Sequence, residues 1–103
     1  MRVLLAAAKF LVLADALAGS LAVDPAKLSK GEAAALLAKL EFFTKGCGGK
    51  LTGDALEGVL ARVLRDNALD IKAYEYNVLE RAKEQHGASV FCAALGKSLG
   101  ALP

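Results

Sequence analysis

The chain has 103 residues, 55% of them hydrophobic and 23% charged, with a formal net charge of +2. That balance excludes a disordered acidic or basic tail, which needs low hydrophobicity and high net charge, and it carries no strong signal for polyanion binding. Two cysteines exclude a disulfide-dense scaffold. The 21 Ala and 19 Leu stand against 7 Val and 1 Ile, a ratio that favours helix over sheet. The expectation is one all-α domain, a small bundle of about four helices with one disulfide and an N-terminal apolar helical segment.

Residues 1–22 are mostly apolar, with a short positive start at Arg2. Small-x-small sites at Ala16-Leu17-Ala18 and Ser20-Leu21-Ala22 give this segment the outline of a secretory signal peptide. Lys9 and Asp15 interrupt its apolar run. Each such charge near a bilayer centre costs about 2.5–3.5 kcal/mol, so a stable membrane span is not expected. The alternative is a packed apolar helix with a narrow polar stripe of Arg2, Lys9 and Asp15. The helical domain proper is residues 23–103.

Asp24-Pro25 reads as a helix start. Ser29-Lys30-Gly31-Glu32 reads as a capping box, opening a helix that Gly46 ends. Its apolar stripe is Ala33, Leu36, Leu37, Leu40 and Phe43. Gly46-Cys47-Gly48-Gly49-Lys50 is a loop. It lacks the phosphate-loop pattern, because Leu51 follows the lysine and Thr44 stands where a glycine is required.

Thr52 is placed to cap the second helix, with Asp54 in its first turn. Leu56, Val59, Leu60, Val63 and Leu64 form its inner stripe, and Glu57, Arg62 and Arg65 face out. Gly58 inside it marks either a close approach of another backbone or a position with no special role. Asp66 or Asn67 caps a third helix running to about His86, with Ile71, Tyr74, Val78 and Ala82 on its inner face. Gly87 ends it. The last helix opens at Ala88-Ser89, with Val90, Phe91, Ala94, Leu95 and Leu99 inward.

Cys47 and Cys92 are widely spaced, the pattern of a staple closing a long loop and not of a redox or zinc C-x-x-C. Such a bridge belongs in an oxidising compartment. Chemistry is otherwise sparse. His86, the single histidine, suits a helix C-terminus. As a base for Cys92 it would make a thiol enzyme only if the sulfurs were unpaired. No metal or cofactor is expected, since Cys47, His86 and Cys92 fall short of a clustered zinc set. Interspersed charges and few aromatics give no nucleic-acid surface.

The Arg2-led apolar start, Gly46-Cys47-Gly48 after the first long helix and Phe91-Cys92-Ala93 in the last together resemble the small, all-helical, single-disulfide proteins that bacteria export. In architecture the chain is similar to the periplasmic acid-stress chaperones of the HdeA type. The resemblance implies a non-enzymatic binding module, periplasmic or secreted, acting on a protein partner as chaperone, inhibitor or envelope accessory. The cytoplasm is the alternative compartment. Tyr76 and Phe42 are the expected contact aromatics, and a homodimer through a spare apolar face is the alternative assembly. The competing function is carriage of a small apolar ligand, which requires a preformed apolar pocket of roughly 300 Å³ or more.

Overall fold

The computed structural model describes residues 24–51 and 55–100. The expected signal or helix at 1–22, the Thr52 cap and Asp54 lie outside the described residues. A 3₁₀ turn, Pro25–Lys27, precedes four helices: α1 (Lys30–Lys45), α2 (Ala55–Arg65), α3 (Leu69–His86) and α4 (Ala88–Ser98). Among the described residues there is no strand, as the Ala and Leu content requires.

The helix ends follow from local chemistry. Asp24 accepts from the Ala26 amide at 3.0 Å and Pro25 takes the first position of the turn. At α1, Ser29 Oγ accepts from the Glu32 amide at 3.1 Å while Glu32 Oε1 accepts from the Ser29 amide at 2.8 Å, so two otherwise orphaned donors are satisfied reciprocally. These two bonds to Ser29, the backbone one foremost, hold the Glu32 carboxyl below the usual glutamate range.

Between α2 and α3 the expected side-chain cap is absent. The amide of Asn67 donates to Leu64 and that of Ala68 to Val63, with Asn67 at φ 55°. This is a Schellman ending of α2, with Asn67 in the left-handed position and buried Ala68 supplying the apolar contact after it. Asp66 turns back to Arg62 instead. Arg62, expected to face out, also donates to the Pro25 carbonyl and ties the first turn to α2.

α1 is the central element. It contacts α3 most, then α2, then α4. Its buried residues are Ala33, Ala34, Leu37, Ala38, Leu40, Phe42 and Phe43, which cover nearly its whole circumference. An inner stripe alone undercounts them, because a helix with neighbours on several sides buries more than one face. Val59 and Val63 from α2, with Ala68, Leu95 and Leu99, complete the core.

Several outer positions correct the periodic reading. Leu64 is 54% and Val90 67% exposed, and Ala94 is exposed as well. On α3, Tyr74 is 63% and Val78 40% exposed. The face turned to α1 instead carries Lys72, Tyr76, Leu79 and Lys83, all partly buried beside Ile71 and Ala82. Gly58 meets no neighbouring backbone. A Cβ built there would sit 3.5 Å from the Pro25 ring, an ordinary contact.

Candidate functional site

Cys47 and Cys92 are bonded to one another, their Cα atoms 5.6 Å apart, across 45 residues of sequence. The bridge joins the loop after α1 to α4, as their placement in the chain leads one to expect. In the chain-entropy picture a loop of this length contributes about 4 kcal/mol.

The glycines around Cys47 serve this junction. The amides of Gly46 and Cys47 both donate to the Phe42 carbonyl, and that of Gly49 donates to Phe43. A Cβ on Gly46 would come within 2.9 Å of the Phe42 ring, and one on Gly49 would collide with the Phe43 ring. Gly48 has φ 71°, where a side chain is strained. The glycine-rich segment is thus a tight wrap over two aromatic rings that delivers Cys47 to α4.

Phe42 is 2% exposed. Its ring meets Tyr76 edge-on at 5.1 Å and Phe91 at 5.7 Å. Expected at the surface as a contact residue, it lies at the centre of the aromatic core, because α4 covers the side of α1 that a two-neighbour helix would leave open. Tyr76 is partly buried against it. Lys83 Nζ lies 5.8 Å from the Phe42 ring centroid and donates to the Gly46 carbonyl at 2.9 Å. The stem of this lysine covers apolar surface while its head meets an oxygen.

Further along the seam of α1 and α3, Lys72 Nζ donates to Glu41 Oε1 at 2.8 Å. Two open clefts run here. One of about 230 Å³ is lined by Glu41, Lys45, Lys72, Ala73, Tyr76 and Asn77. The other, of about 280 Å³, lies between Lys45, Tyr76, Lys83 and Glu84. Their rims are charged, and the Glu41–Lys72 pair satisfies two of those charges internally.

The outer face of α3 carries Tyr74 and Val78, which the periodic reading placed inside. Tyr74, Val78, Arg81 and Gln85 are all exposed. Their spacing of four, three and four puts them on one arc of the helix over three turns. The spacing is visible in the sequence. The signal that would have turned the helix correctly is the pair Lys72 and Lys83, whose long apolar stems suit the inner face.

Both sulfurs are committed to the bridge, so the oxidised chain offers no thiol nucleophile. His86 sits exposed at the end of α3. Among the described residues no three His, Cys, Asp or Glu side chains converge as a metal site, and no helix is long and apolar enough to cross a membrane. Comparison of the chain with protein-family models, with curated proteins and with solved structures gives no match.

Proposed function

We propose that this chain is a non-enzymatic helical binding module, exported and held by its disulfide, that docks a protein partner on the outer face of α3. The carrying observation is the exposed ridge of Tyr74, Val78, Arg81 and Gln85 on a helix whose opposite face is already engaged with α1. Tyrosine and arginine are the residue types most enriched at energetic centres of interfaces. A tyrosine one turn from a valine offers apolar area at low entropy cost, with polar groups at its edge. The Cys47–Cys92 bridge supports a location outside the reducing cytosol.

Carriage of a small apolar ligand has less support. Among the described residues, the clefts of about 230 and 280 Å³ along the α1–α3 seam are open and rimmed by Glu and Lys, whereas such ligands enter largely apolar pockets of roughly 300–1,000 Å³.

The test is site-specific photocrosslinking in the source cell, with the reactive group placed at Tyr74 and, as a control, at exposed Ala61 on α2. A discrete adduct with another protein at position 74 and none at 61 supports the reading. Equal labelling at both positions, or none at 74, refutes it.

A further inference from the structure

α4 differs from the other helices in how it is held. A single residue, Gly87, connects it to α3 along the chain, exposed, at φ 89°, with open space around it. Its N-terminus, like that of α3, has no side-chain cap. Within and just beyond the helix it buries Leu95, Gly96 and Leu99, with Phe91 and Cys92 partly covered. Among the described residues no side-chain hydrogen bond or ion pair joins α4 to another element. Its own side-chain bond, Ser98 Oγ to the Leu95 carbonyl, is internal.

The rest of the bundle is tied differently. Lys72 bonds Glu41 and Lys83 bonds the Gly46 carbonyl, both between α3 and the α1 region. Arg62 bonds the Pro25 carbonyl. The core residues of α1 and α2, with Ala68, form most of the buried cluster without α4. Cys47 belongs to this anchored part through its own amide and those of Gly46 and Gly49, whereas Cys92 rides on α4.

We propose that α4 is a lid, hinged at Gly87 and latched by the Cys47–Cys92 bridge, which swings free as a unit on reduction while α1, α2 and α3 stay folded. The reductant is a dithiol. It gives two electrons and two protons to the bridge, passes through a mixed disulfide and leaves as a disulfide, and Cys47 and Cys92 become thiols. Both cysteines are partly exposed, so a dithiol can reach them. Release uncovers Phe42, which Phe91 covers edge-on, together with the underside of α4 at Phe91, Leu95 and Leu99. This movement needs no partner and does not depend on the Tyr74 ridge.

Amide hydrogen exchange on the full chain, with the bridge intact and after dithiothreitol, tests the proposal. With the bridge intact, the amides of Phe91 to Leu99 exchange within about ten-fold of those of Leu37 and Leu40. After reduction they exchange at least about a hundred-fold faster than the α1 amides, since a released element opens without global unfolding. A Cys47→Ser/Cys92→Ser double variant, without reductant, reproduces the reduced pattern. The proposal is overturned if α1 and α4 lose protection together, if α4 keeps its protection after reduction, or if α4 is already unprotected with the bridge closed.

Discussion

Replacing Phe42 by leucine separates a core role from a contact role. The ring is 2% exposed and makes two edge-on aromatic contacts, at 5.1 Å to Tyr76 and 5.7 Å to Phe91. Each such pair contributes about 0.5–1.5 kcal/mol beyond the area it buries. Leucine keeps most of the apolar burial and loses both pairs, so the expected destabilisation is about 2 kcal/mol. Alanine would also leave a cavity, at a total of about 3–5 kcal/mol, a large share of the roughly 5–10 kcal/mol that holds a domain of this size. The leucine variant therefore gives the cleaner measurement. Urea unfolding of the oxidised protein should show a lower midpoint with an unchanged slope. A double-mutant cycle with Phe91→Leu should return a coupling of about 0.5–1.5 kcal/mol. In the same assay Tyr74→Ser should change stability by less than about 0.5 kcal/mol, as an exposed position does. If Phe42→Leu were as mild as Tyr74→Ser, and the cycle gave no coupling, the aromatic core described above would be wrong.

Gly58→Ala should stabilise the protein by up to about 1 kcal/mol, because a Cβ there meets only an ordinary contact with Pro25. Gly49→Ala should destabilise it by about 1–3 kcal/mol through collision with the Phe43 ring, and thermal melts of the two variants should move in opposite directions. Asn67→Ala should cost about 1 kcal/mol, since φ 55° suits Asn or Gly, whereas Asn67→Gly should be neutral or mildly stabilising. The Glu32 carboxyl is held below the usual glutamate range by the Ser29 bonds. Its contribution is thus complete above the ordinary glutamate pKa and is lost as pH falls through the lower folded value. The stability gap between the parent and Glu32→Gln should accordingly widen as pH rises through that window and then level off. A gap independent of pH would contradict the capping geometry.

Most of the architecture was legible because its signals are local. Ser29 and Glu32 at a spacing of three define the start of α1, and Gly46 and Gly87 mark where helices stop. Two distant cysteines in a small chain suggest a staple. What could not be read from hydrophobic period alone was which way the outer helices turn. α3 has no fully buried residue, so its orientation is decided by partial burial of Tyr76, Leu79 and the stems of Lys72 and Lys83. A scale that scores lysine as polar assigns those stems outward and places Tyr74 and Val78 inward in their stead. Asp66 shows the same limitation. An acid before a helix looks like a cap, but Arg62 one turn earlier competes for it and prevails, leaving Asn67 to close the turn with its backbone. The loop glycines were legible as a turn, but their reason, the Phe42 and Phe43 rings beneath them, lies in the tertiary packing.

The intact mass of the protein isolated from its source cell, without reductant and with thiols blocked at lysis, tests the central claim most directly. The account predicts one unblocked species, lighter by two hydrogens than its reduced form, with Cys47 and Cys92 in a single intramolecular bridge. A species carrying two blocked thiols would contradict both the native bridge and the placement outside the cytosol.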